Sequence, residues 1–193
     1  EQGDEMSKKM LTKWFRLCGS IIVFGFCFSF GCSSDYAYPG TLVEVPAGTS
    51  TMGSQNIGEG EKPVHTVTLS RDFLMGKTEV TNAEYCAALN WALEQGHLEK
   101  ANSETVMMHG EELLDLDASC EIAFNINAFL VKLVSKGVYK LQSADQHPVK
   151  DVSWYGAACY CDWLSMQEGL TPYYDGNWNP SVSHNPYEHV GYR

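Results

Sequence analysis

The sequence predicts an α+β domain of mixed short strands and two main helices, and three observations carry that expectation. Val64–Ser70 sets His65, Val67 and Leu69 alternately against Thr66, Thr68 and Ser70, the period of a half-buried strand. Thr81-Asn82-Ala83-Glu84 spells a capping box, and behind it Tyr85, Ala88, Leu89 and Ala92 share one helical stripe. Ser153 is a good N-cap for a second helix, on which Trp154, Ala157, Ala158, Cys161 and Leu164 share a face. A chain of 193 residues suits one domain with a real core.

In chain order, residues 1–32 read as an address rather than as fold. Lys8, Lys9, Lys13 and Arg16 form a basic region before the apolar run Leu17–Phe30. That run is 14 residues long, short of the ~20 that cross a bilayer. It ends in Ser29-Phe30-Gly31-Cys32, which resembles a bacterial lipoprotein signal with Cys32 as the lipidated residue. Ordinary signal cleavage and an uncleaved anchor are the alternatives, and each of the three leads to an exported protein. Glu1 stands where a methionine would begin a chain, which makes Met6 and Met10 candidate starts.

Residues 33–40 form a tether, and residues 41–193 form the domain. Leu42–Val45, a Pro46-Ala47-Gly48 turn and Thr49–Met52 read as a hairpin, followed by a polar loop over 54–62. Phe73–Thr78 is a strand beside Val64–Ser70, and the first helix runs from Asn82 to about Gln95. Residues 96–146 read as a variable insertion that adds surface hairpins, with apolar runs at Thr105–Met108 and Ile122–Leu133 around the acidic stretch Gly110–Asp117. Gly169 ends the second helix.

Beyond Cys32 there are 9 Lys and Arg against 21 Asp and Glu, a net charge of −12. Such a surface repels phosphate backbones and argues against nucleic-acid partners.

Few residues carry chemistry. Export would leave Cys86, Cys120, Cys159 and Cys161 in an oxidising compartment, where three disulfide pairings are open. Cys159 and Cys161 lie about 200° apart on a helix, so they cannot converge on a metal. On the expected stripe Cys161 is the buried structural thiol, and Cys159 faces the other way, toward Cys86 or Cys120. Asp175-Gly176-Asn177-Trp178-Asn179 has alternate oxygen side chains but lacks the glycine and glutamate of a calcium loop; Asp115 and Asp117 share that weakness. A simple turn is the better account. His65 and His147 read as satisfied structural groups, and His184 and His189 have no metal spacing.

Five phrases, taken together, say more. They are LVEVPAGTSTMGS (Leu42–Ser54), EKPVHTVTLS (Glu61–Ser70), GKTEVTNAEY (Gly76–Tyr85), HPVKDVSWYGAACYCDWLSMQEGLTPYYD (His147–Asp175) and GYR (Gly191–Arg193). Jointly they resemble the formylglycine-generating enzyme or sulfatase-modifying factor family, which implies a C-type-lectin-like α+β fold. In that family GYR runs on into the catalytic half, so the resemblance implies a domain that is C-terminally incomplete in this chain. Complete members that act on sulfatases oxidise a substrate-protein cysteine to formylglycine with copper held by two cysteines, and they bind calcium. Those ligands belong downstream of GYR, so the resemblance assigns no catalytic, cofactor or metal residue and no cofactor to this chain.

The resulting expectation is an exported, lipid-anchored protein of the cell envelope, partnered by a sulfatase-like protein, another envelope protein or a glycan. A non-catalytic lectin-like binding module is a second reading, with Tyr173, Tyr174, Trp178 and Tyr187 either as contact aromatics or, equally, as core or turn packing. A fragment without function of its own, prone to aggregate, is a third.

Overall fold

The computed structural model describes residues 40–117, 119–137, 140–174 and 190–193. The signal-like segment, Cys32, the 175–179 loop, Trp178, His184, Tyr187 and His189 lie outside the described residues. What is described is α+β: eleven short strands and two α-helices.

The first strands are β1 (Leu42–Val45), β2 (Gly48–Met52), β3 (His65–Leu69) and β4 (Phe73–Gly76). The expected hairpin of β1 with β2 does not form. β1 pairs antiparallel with β4, Leu42 opposite Gly76, while β2 pairs with β3, Gly48 opposite Leu69. The connection Pro46-Ala47 has no residue at positive φ, which a tight two-residue hairpin turn requires. Instead the Ala47 N–H donates to the Asp72 carboxylate at 2.6 Å, tying this crossover to the start of β4. In β3, Val67 and Leu69 are half-buried as expected, but His65 is exposed.

Helix α1 (Asn82–Glu94) carries the full capping box, with Thr81 Oγ1 accepting from the Glu84 N–H and the Glu84 carboxylate accepting from the Thr81 N–H. Its stripe of Tyr85, Ala88, Leu89 and Ala92 is buried. Gly96, at φ +74, closes it: Gly96 N–H reaches Leu93 O and His97 N–H reaches Ala92 O, the two bonds of a Schellman cap.

The 96–146 region does form hairpins. β5 (Lys100–Ala101), β6 (Thr105–Met108) and β7 (Glu111–Asp115) make a three-stranded sheet; β8 (Ile122–Asn125) pairs with β9 (Ala128–Val131), and β10 (Leu133–Ser135) with β11 (Leu141–Ser143). They are not confined to the surface. Val106, Leu113, Leu114, Ile122 and Phe129 are all buried in the same core as the α1 stripe. The acidic run Glu111–Asp115 is thus a strand with two leucines turned inward, and the short apolar runs bury area that α1 alone would leave open.

Helix α2 (Trp154–Gln167) starts at Ser153, whose Oγ accepts from the Gly156 N–H, and ends in a second Schellman cap at Gly169 (φ +69). Its buried face differs from the expected stripe. Ala158 and Leu164 are buried as expected, but Trp154 and Ala157 are exposed, Cys161 is only half-buried, and Gly156, Cys159, Tyr160 and Trp163 face inward. The helix is apolar on nearly every side, so periodicity alone could not orient it. A bulge does. β6 and β7 slip register at Val106/Met107, leaving Leu113 unpaired in the ladder; its carbonyl accepts from the Ser153 N–H instead. Gly156 then lies so close that a Cβ there would stand 2.1 Å from Leu113 O. The residue that sets the helix orientation is the one without a side chain.

Candidate functional site

The four cysteines among the described residues are thiols, not disulfides. Cys159 Sγ contacts Met108 Sδ at 3.7 Å, and Asn90 Nδ2 contacts Cys86 Sγ at 3.8 Å. Burial pushes the Cys159 thiol far above its ordinary range, Cys161 up to about 11, and raises Cys120 as well. Neutral, buried thiols are inert. Tyr85 and Tyr160 stack among them with centroids 5.6 Å apart, and burial raises both phenols.

A polar cluster joins α1 to the loops around it. Buried Asn82 donates through Nδ2 to Glu121 Oε2 and to Ala144 O, both at 2.9 Å. His147 Nδ1 lies 3.1 Å from the same carboxylate, and Lys150 Nζ lies 3.8 Å from its other oxygen. Burial alone would raise the Glu121 carboxyl; the bonds from Asn82 and His147 and the Lys150 charge outweigh it and hold the group below its usual range. His147 is therefore a satisfied structural group, as expected. His65 Nδ1 meets Pro63 O at 2.9 Å in the same role.

The outer side of α2 holds the most unusual arrangement. Asp162, 8 % exposed, accepts the backbone N–H groups of Tyr173 at 3.0 Å and Tyr174 at 3.1 Å through one oxygen. One turn on, Ser165 Oγ accepts the Tyr192 N–H at 2.9 Å. These bonds seat an aromatic row. Trp154 meets Tyr155 and Tyr174 edge-on, each at 5.5 Å, and Tyr174 meets Tyr173 edge-on at 5.1 Å. Arg193 stands over the Tyr173 ring, 5.9 Å from its centroid. Tyr173 and Tyr174 are thus half-buried turn packing, and Trp154 is the exposed member at 56 %. Sequence reasoning missed Asp162; the available signal was a single acid inside a helix with no polar face.

Cu(I) takes converging thiolates, whereas Cys159 and Cys161 point apart and both stay protonated. Asp117, weighed as a calcium ligand, closes a turn: its Oδ1 accepts the Ser119 N–H at 2.6 Å and the Cys120 N–H at 3.2 Å. Those bonds, led by the one from the Ser119 hydroxyl, lower its carboxyl. Among the described residues no three His, Cys, Asp or Glu side chains converge as on a metal ion. Nor, among them, is any helix long and apolar enough to cross a membrane.

The sulfatase-modifying factor enzyme 1-like domain matches residues 33–188. The chain is 30% identical over 141 residues to the formylglycine-generating enzyme of Bos taurus, covering 67% of this chain and 37% of that protein. It is 30% identical over 138 residues to the formylglycine-generating enzyme of Mus musculus, covering 65% of this chain and 36% of that one. It therefore spans little more than a third of the curated relatives it matches. Among solved structures, PvdO from Pseudomonas aeruginosa aligns over 69% of this chain and 46% of its own, at 23% identity and a TM-score of 0.38. With the domain match running through the capping box, the hairpins and α2, the chain belongs to the sulfatase-modifying factor enzyme 1-like, or formylglycine-generating-enzyme-like, domain family.

Proposed function

We propose that this chain is the scaffold half of a formylglycine-generating-enzyme-like domain, in an exported protein held to a bacterial envelope by lipid on Cys32. The observation that carries the reading is the domain match, which begins at residue 33, immediately after Cys32. In the complete protein the domain oxidises a cysteine of a partner protein, sulfatase-like in kind, to formylglycine. The copper-binding cysteines, and any calcium ligands, then lie outside the residues described above, because Cys86, Cys120 and Cys159 are buried thiols and Cys161 is a half-buried one held protonated. The part of this half is mechanical: α1, the hairpins and α2 form a packed floor on which the remaining elements are laid.

The test uses the native protein, read from its transcript past Arg193. Loaded with copper and given a cysteine peptide, it should consume oxygen and yield a peptide aldehyde. Full-length protein that binds copper and does neither would overturn the oxidase reading. Radiolabelled palmitate on Cys32, blocked by globomycin, tests the anchor; a chain without label is not a lipoprotein.

The exposed Trp154, at the head of an edge-on aromatic row, favours a second reading, a binding module without catalysis. Capture of an envelope protein or glycan that is lost in Trp154→Ala, without oxygen uptake, would select it.

A further inference from the structure

Asp162 differs from every other carboxyl described. Among the described residues only Asn82, Asp162 and Ser165 are buried and polar, and only Asp162 of these can ionise. Part of its cover is the Tyr173-Tyr174 segment, whose two amides it accepts. The titratable groups acting with it are the Cys159 and Cys161 thiols of its own helix and the Tyr174 phenol. Arg193 is engaged with the Tyr173 ring and draws on Tyr174. Against the carboxyl itself stand burial, the largest influence, and the two amides, which only partly offset it.

We propose that Asp162 makes the seating of Tyr173 and Tyr174 on α2 proton-dependent: the neutral acid holds the aromatic row closed against Trp154, and ionisation drives the segment to open and admit water. The reasoning is linkage. Closing the segment buries the carboxyl, and a buried carboxylate without a counter-charge is disfavoured. Whichever form is disfavoured in the closed state is favoured by opening, so closure releases its hold as the acid ionises. Burial raises the Asp162 carboxyl to about 6, so closure is held fully below the ordinary aspartate range and is lost progressively as pH rises to about 6. With an ordinary carboxyl near 3.9 in the opened state, the closing equilibrium weakens by up to about a hundred-fold between acid and neutral pH. The consequence is an aromatic surface that is rigid in a mildly acidic medium and adaptable in a neutral one. This holds whether the complete domain is an oxidase or a binding module.

The experiment is amide hydrogen exchange on the full chain, reading Tyr173 and Tyr174 from pH 5 to 7.5 after correction for intrinsic exchange, beside the variant Asp162→Asn. Asparagine keeps an acceptor for both amides and cannot ionise. Protection in the native chain should fall by up to about ten-fold across that range, while in Asp162→Asn it should stay level. Level protection in the native chain, or the same fall in the variant, would overturn the proposal. If Asp162→Asn does not fold, the carbon-13 titration of the Asp162 carboxyl in the native chain decides: a midpoint in the ordinary aspartate range removes the device, and one near 6 that moves together with the Tyr173 and Tyr174 amide signals upholds it.

Discussion

Asn90 of α1 and Phe129 of β9 exchange two hydrogen bonds: the Phe129 N–H donates to Asn90 Oδ1 at 2.7 Å, and Asn90 Nδ2 donates to Phe129 O at 3.0 Å. The side-chain amide stands where the backbone of a further strand would, so one residue of a helix completes the edge of a hairpin. Phe129 itself is 1 % exposed, and its backbone groups have little recourse to water. Asn90→Leu should therefore destabilise the chain by about 1–3 kcal/mol. Asn90→Asp, which keeps the acceptor but turns an oxygen toward Phe129 O, should also lose stability. Urea unfolding measures both; an aspartate variant as stable as the native chain would show that the pair is incidental.

The contact of Gly156 with Leu113 leads to a second expectation. Gly156→Ala would place Cβ 2.1 Å from Leu113 O and 2.7 Å from the Tyr85 hydroxyl. Helix α2 must then lift from β7, a cost of about 1–3 kcal/mol by analogy with overpacked cores. Gly48→Ala is the control, since a Cβ there meets nothing within 4 Å. Thermal melts of the two variants should separate by several degrees; coincident melts would mean that α2 docks with room to spare.

Ile126 sits at the tip of the β8–β9 hairpin with φ +58, and it is 83 % exposed. The Asn127 N–H bonds to Asn125 O at 2.7 Å across it, a tight three-residue turn. A β-branched residue is strained in this region and gains nothing from burial here. Ile126→Gly should stabilise the fold by about 0.5–1 kcal/mol. A raised urea midpoint at unchanged slope is the expected result, and a lowered midpoint would assign Ile126 a packing role.

Glu121 should govern part of the acid limb of stability. Its carboxyl is held below the usual range, against burial, by Asn82, His147 and Lys150. A depressed carboxyl contributes stability that is present above its unfolded pKa, about 4.3, and is lost as pH falls through the folded value. Glu121→Gln should flatten the fall in stability between about pH 5 and pH 3 and weaken the fold at pH 7. Denaturant midpoints measured across that range check it; an unchanged acid limb would show that the cluster contributes no pH dependence.

The sequence was legible where local chemistry decides. The Thr81–Glu84 box, the stripe of Tyr85, Ala88, Leu89 and Ala92, the Ser153 cap and the Gly169 stop all occur as read, because each depends on residues within one or two turns. It was illegible where partners are distant. Pairing of β1 with β4 across 28–34 positions cannot be seen in either segment alone, and alternation fits β2 equally well as a partner. The buried face of α2 was only partly placed, with Ala158 and Leu164 right and Trp154 and Ala157 wrong, for the same reason. Its apolar residues surround the axis, so the choice fell to an unpaired carbonyl at Leu113 and the missing side chain of Gly156.

By itself, then, the sequence determined the family, the α+β class, the helix ends and the net negative charge. These follow from composition, spacing and caps, which act locally or in sum. Only the tertiary structure decided that Cys159 rather than Cys161 is the deeper thiol, that Asn90 finishes a hairpin, and that Asp162 is a buried acid beneath Tyr173 and Tyr174. Burial and desolvation belong to the assembled molecule. A carboxyl acquires its unusual character only when another part of the chain closes over it.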